Sequence, residues 1–120
     1  MTERSFLKRD IENLRIILKY CDDIEHFIEL YGSEEAEFCD NLSLQYGCVF
    51  SLEQIGEHVK RLSYETKNKY PDIDWKNAAG MRDFIAHNYS NIDISRVRLT
   101  VLNKIPSLRD VCRSILSGLS

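Results

Sequence analysis

A chain of 120 residues, 43% hydrophobic and 29% charged, is long enough to bury a core without disulfide or metal staples. It has no run of about 18 apolar residues, which excludes a membrane span. A net charge of −3 argues against an indiscriminate nucleic-acid binder.

Residues 1–120 read as one domain, with no repeat, low-complexity tract or internal boundary. The start, Met1 to Ser5, runs straight into an amphipathic pattern and lacks a signal-peptide layout, so a cytoplasmic location is expected. Cys21, Cys39, Cys48 and Cys112 show neither a C-x-x-C pair nor a histidine at zinc-finger spacing. They read as buried thiols in a reducing compartment, since free cysteine packs as a small hydrophobe.

Leu7, Ile11, Leu14, Leu18, Cys21, Ile24 and Ile28 recur at steps of three and four, which predicts a long helix over about 4–31. Gly32-Ser33 ends it. Ser33 is expected to cap the next helix, with Glu34, Glu35 and Glu37 near its positive end. This second helix carries an apolar stripe from Phe38 to Leu62, with Gln45 or Tyr46 filling a gap in it. Gly47 and Gly56 each cost that helix about 1 kcal/mol relative to alanine; Gly56 is expected at a tight crossing. Residues 63–73 read as a connection ending in a helix that starts near Asp74 or Trp75. Trp75, Ala79, Phe84, Ile85 and Ala86 make this third helix apolar around much of its circumference. Asn91-Ile92-Asp93 interrupts it, and Asp93 is expected to cap a fourth helix carrying Ile94, Val97 and Val101. Pro106 breaks the pattern before Leu108, Val111, Cys112, Ile115 and Leu116 resume it. No strand alternation of useful length appears. The fold class is all-α: an antiparallel bundle of four main helices, the last broken at Pro106.

Charge is unevenly spread. Residues 10–57 hold 12 acidic and 2 basic side chains, whereas 58–120 hold 11 basic and 6 acidic ones. Lys60, Arg61, Lys67, Lys69, Lys76, Arg96, Arg98, Lys104, Arg109 and Arg113 either form a phosphate-attracting surface or are solvated helix faces. Sequence leaves both readings open. His26 and His58 lie beside charged residues and are expected to face solvent.

The segment Gly80-Met81-Arg82-Asp83-Phe84-Ile85-Ala86-His87-Asn88-Tyr89 sets Arg-x4-His-x-Tyr in an otherwise apolar helix. Arg82 offers a planar, permanently charged fork for a phosphate. His87 titrates near neutral pH and can give or take a proton. Asp83 stands four residues before His87, where it can orient the imidazole. Metal-free cleavage of a phosphodiester needs such a pair, and no carboxylate–histidine cluster suggests a metal site, so no cofactor is expected. Arg82 and Tyr89, seven apart, share a face; Arg82 and His87 project about 140° from each other on an ideal helix. A bend after Gly80, long arginine rotamers or a second copy of the site would each bring them together. The structural alternative for His87 is a satisfied core histidine. For Tyr89 it is a packed ring with a hydrogen-bonded hydroxyl.

Around this motif the chain resembles the HepT-like branch of the HEPN family, small all-helical proteins whose best-known members are RNase toxins. Ile55-Gly56-Glu57, Ile73-Asp74-Trp75 and Gly80-Met81-Arg82 match three family blocks in order and spacing. Asp74 stands where relatives often have proline, a change at a helix start where aspartate caps well. The resemblance implies a homodimeric, metal-independent endoribonuclease acting on RNA, with Arg82 and His87 catalytic in a shared cleft. It also implies that Tyr89 accepts AMP from a cognate minimal nucleotidyltransferase antitoxin, which silences the toxin of a type VII toxin–antitoxin pair. Glu57, a semi-buried carboxylate, is expected to hold Arg82 in place. The other readings are a non-catalytic binding subunit of a minimal nucleotidyltransferase and a structural dimerisation module.

Overall fold

The computed structural model describes the backbone over residues 3–87 and 92–118, and side chains over 8–81 and 92–118. Seven helices are described: α1 (Glu3–Tyr31), α2 (Glu35–Asp40), α3 (Leu42–Lys60), α4 (Tyr64–Lys69), α5 (Trp75–His87), α6 (Ile94–Asn103) and α7 (Ile105–Gly118). Four main bodies recur as expected: α1, α3, α5 and the α6–α7 pair, which parts at Lys104 beside Pro106. Proline fits there because it lies in the first turn of α7, where its missing N–H costs no helix hydrogen bond. No described helix is long and apolar enough to cross a membrane.

Three contacts set α1 against α3. The Phe27 ring lies over Gly47, Tyr20 meets Phe50 edge-on at 5.8 Å, and Asp10 reaches Ser63 just beyond α3. Positions fall along α1 as they rise along α3, so the two helices run antiparallel. Asp10 is 1% exposed, yet its carboxylate is fully engaged: it accepts from the Ser63 backbone N–H at 3.0 Å and from the Ser63 and Thr66 hydroxyls. Such a buried acid is tolerable only with those donors. Ser63 in turn caps α4 by accepting from Thr66 N at 3.2 Å.

Helix α7 returns along α1 with its cations opposite α1's acids. Arg109 pairs with Glu25, and Arg113 donates to Asp22 at 2.9 Å. The core between these bodies is built from Leu14, Ile17 and Ile24 of α1, Leu44, Leu52, Ile55 and Val59 of α3, Val97 and Val101 of α6, and Leu108 of α7.

Several expectations are corrected. The Phe38–Leu62 pattern is two helices, because Asn41 takes an extended backbone and caps α3, accepting from Leu44 N at 3.0 Å. Gln45 bridges this break by donating to the Phe38 and Cys39 carbonyls, while Tyr46 is 68% exposed. Glu34, not Ser33, occupies the N-cap of α2 and makes no side-chain cap bond; the Ser33 carbonyl instead accepts from Arg98 Nε at 2.8 Å. The 63–73 connection contains the short helix α4. His58 is buried, its Nδ1 2.7 Å from the Gln54 carbonyl, whereas His26 is exposed. Cys21, Cys48 and Cys112 are buried, and burial pushes their thiols well up, those of Cys48 and Cys112 to about 12; Cys39 is exposed.

Two glycines carry geometric requirements. Gly32 ends α1 at φ +104, a conformation that side chains other than glycine rarely adopt. At Gly47 a Cβ would sit 2.6 Å from the Phe27 ring, so α1 and α3 approach closely here; Gly56 is buried further along the same helix, and what its Cβ would meet lies outside the described residues. Gly47→Ala should therefore lower the urea midpoint. Overpacking costs about 1–3 kcal/mol, against about 1 kcal/mol gained in helix propensity. In a Phe27→Ala background the clash is gone and the same substitution should raise the midpoint. A penalty that persists without the Phe27 ring would show that the crossing is not its cause.

Candidate active site on α5 and the adjoining groove

Helix α5 begins where the sequence places it. Asp74 caps it by accepting from Asn77 N at 3.0 Å, the role expected of an aspartate at that position. Trp75, 7% exposed, anchors the first turn, and its indole N–H donates to the Tyr70 carbonyl at 2.9 Å. The helix then continues through Gly80 to His87, lying along α3. Arg82, Asp83 and His87 are thus positions of one continuous helix; their side chains lie outside the described residues, and Tyr89 lies outside them altogether.

Helical register places these positions. Residues seven apart fall within about 20° of each other on an ideal helix. Position 82 therefore falls on the same side of α5 as Trp75. His87 shares a side with Gly80, where a Cβ would meet nothing within 4 Å. The third family block, Ile55-Gly56-Glu57, sits in α3: Ile55 and Gly56 are buried, and Glu57 is half-buried. Arg61 donates to Glu57 at 3.3 Å, a local i,i+4 pair. The expected hold of Glu57 on Arg82 lies outside the described residues.

An open groove of about 540 Å³ runs beside the Gly80 side of α5, with α6 as its other wall. Helix α5 contributes Lys76, Asn77 and Gly80; α6 and its C-cap contribute Arg96, Thr100 and Lys104. Asp74, also on the rim, has one carboxylate oxygen committed to capping α5. Sequence reasoning named these cations only among a wider set. The available signal was the spacing of Arg96, Thr100 and Lys104, which puts them on one side of α6. Other members of that set have described partners: Arg61 with Glu57, Arg98 with the Ser33 carbonyl, Arg109 with Glu25 and Arg113 with Asp22.

Comparison with known proteins covers the same architecture. A family model described as ribonuclease HepT-like matches residues 17–115. Two proteins of Methanocaldococcus jannaschii, both named as candidate RNases, are each 38% identical to the chain over 113 residues. Those alignments take in 93% of this chain and 92% and 96% of the relatives. A candidate ribonuclease HepT of Thermococcus cleftensis is 35% identical over 95 residues, 75% of this chain and 86% of its own. No solved structure matches the chain. The family match runs from within α1 to within α7 and contains all three sequence blocks and the Arg-x4-His-x-Tyr motif, so the chain belongs to the HepT-like ribonuclease family.

Proposed function

We propose that this protein is a metal-independent endoribonuclease, with Arg82 and His87 as its catalytic residues. The observation that carries the reading is the family match over residues 17–115, which encloses an intact Arg-x4-His motif on α5. In the reaction, a ribose 2′-hydroxyl gives up its proton and its oxygen bonds to the adjacent phosphorus. The bond from phosphorus to the 5′-oxygen breaks, and that oxygen takes a proton. The products are a 2′,3′-cyclic phosphate and a 5′-hydroxyl. His87 serves as general acid or base, and Arg82 stabilises the charge that builds on the phosphoryl oxygens. Asp83 orients the imidazole, and Glu57 is a supporting carboxylate for Arg82. The need for a 2′-hydroxyl makes RNA, not DNA, the substrate.

A homodimer completes this arrangement. Arg82 and His87 leave one helix on different sides, and a cleft shared between two copies supplies both groups to one phosphate. The system is a type VII toxin–antitoxin pair acting in the cytoplasm, in which a minimal nucleotidyltransferase transfers AMP to Tyr89. The added phosphodiester brings about one negative charge, which competes with RNA for Arg82.

His87→Ala and Arg82→Ala should each lower RNA cleavage by about 10²–10⁴-fold, the usual worth of one well-placed acid–base group, with the helical circular-dichroism spectrum unchanged. Cleavage undiminished in both variants would sink the assignment.

Tyr89→Phe should remain folded and active but accept no AMP when incubated with the cognate nucleotidyltransferase and ATP, as read by intact-mass spectrometry. Equal AMP incorporation in wild type and variant would move the modification elsewhere.

A further inference from the structure

The α5–α6 groove runs beside the described part of α5, and it carries cations on both walls. Lys76 stands exposed on α5, and Lys104 stands exposed at the C-cap of α6, with Arg96 two turns before it. Asp74 is the groove's own carboxylate, and Asp93 lies close by at the start of α6. Both spend an oxygen on helix caps, accepting from Asn77 N at 3.0 Å and Arg96 N at 3.2 Å. Among the described residues lining the groove, Lys76, Arg96 and Lys104 stand against the carboxylate of Asp74, with Asp72 in the cavity next to it. Pairing among the described residues does not explain Lys76 and Lys104 as it does Arg109 and Arg113, which sit against α1's acids.

Register ties the groove to the chemistry. Lys76, Asn77 and Gly80 line it from α5, and the His87 position lies two turns beyond Gly80 on the same side of the helix. From Lys76 to His87 the helix rises about 16 Å, a span that places the lysine several chain units away from a phosphate reacting at His87. Thr100 and Asn77 add neutral hydrogen-bonding groups to the floor and rim. The open Gly80 surface leaves room for a sugar or a base.

We propose that this groove binds the phosphodiester backbone of single-stranded RNA flanking the bond to be cut, with Lys76 and Lys104 as its principal phosphate contacts. The inference rests on the ribonuclease reading for its ligand, but it concerns residues outside the catalytic motif. Lysines in this role act as point charges and carry no sequence preference. The groove would therefore raise affinity for every RNA alike and leave the choice of bond to the site itself.

The test is binding of a fluorescein-labelled 2′-O-methyl oligoribonucleotide, which cannot undergo transesterification, to the full-length protein across a salt series. Lys76→Gln with Lys104→Gln keeps much of each side chain's length and removes two charges. The double variant should bind more weakly, with the slope of log affinity against log salt falling by about 1.4, the release expected for two single-strand contacts. Lys8→Gln, an exposed lysine far along α1, should leave the slope unchanged. A wild-type protein that binds the probe with the same slope as the double variant overturns the proposal, as does an equal loss in Lys8→Gln. Cleavage of unmodified RNA, measured in parallel, separates the two claims. Cleavage with an unaltered slope removes the groove and leaves the ribonuclease reading standing. A lowered slope without any cleavage keeps the groove as an RNA-backbone site and removes the ribonuclease reading.

Discussion

Because the Gly47 Cβ position lies 2.6 Å from the Phe27 ring, α1 and α3 can cross as closely as they do only if position 47 has no side chain. That approach fixes much else. It brings Tyr20 onto Phe50 and leaves Asp10 at the far end of α1, beside Ser63 and Thr66. The Asp10 carboxylate then ties down the turn leaving α3 and the start of α4. From there the chain reaches Tyr70, whose carbonyl holds the indole of Trp75. Helix α5 is thus launched from a surface already fastened to α1 and α3. The catalytic role proposed for α5 demands such support, because a misplacement of about 1 Å can cost two orders of magnitude in rate.

The uneven charge along the chain takes on meaning through this packing. Much of the basic C-terminal part is spent internally: α7 lays Arg109 and Arg113 on the acids of α1, and Arg98 fastens α6 to the Ser33 carbonyl ahead of α2. The exposed Arg113–Asp22 pair contributes little to stability on its own. Its consequence is electrostatic, since it balances charge between α7 and α1.

Helices whose ends carried chemical signals were legible in the sequence. Gly32 closes α1, while Asp74 and Asp93 open α5 and α6 by the capping bonds expected of them. The break at Asn41 was hidden because Phe38 and Leu42 stand four apart, at helical spacing across it; only the cap geometry marks the change. His58 was misjudged from its charged neighbours, although it lies three residues after Ile55 and next to Val59, on the edge of the buried stripe. The candidate Arg-x4-His motif stood out in the sequence because its residue types and spacing are local, and both positions fall on α5. The groove was not, because it exists only where α5 and α6 come together.

Product chemistry tests the account most directly. RNA cleaved by this protein in the presence of EDTA should yield fragments with 2′,3′-cyclic or 3′-phosphate ends and 5′-hydroxyls, as mass spectrometry of the termini would read. The cyclic end requires attack by the neighbouring 2′-oxygen, the step assigned to His87 and Arg82. Fragments with 5′-phosphate and 3′-hydroxyl ends, or cleavage that stops when divalent ions are chelated, would contradict it.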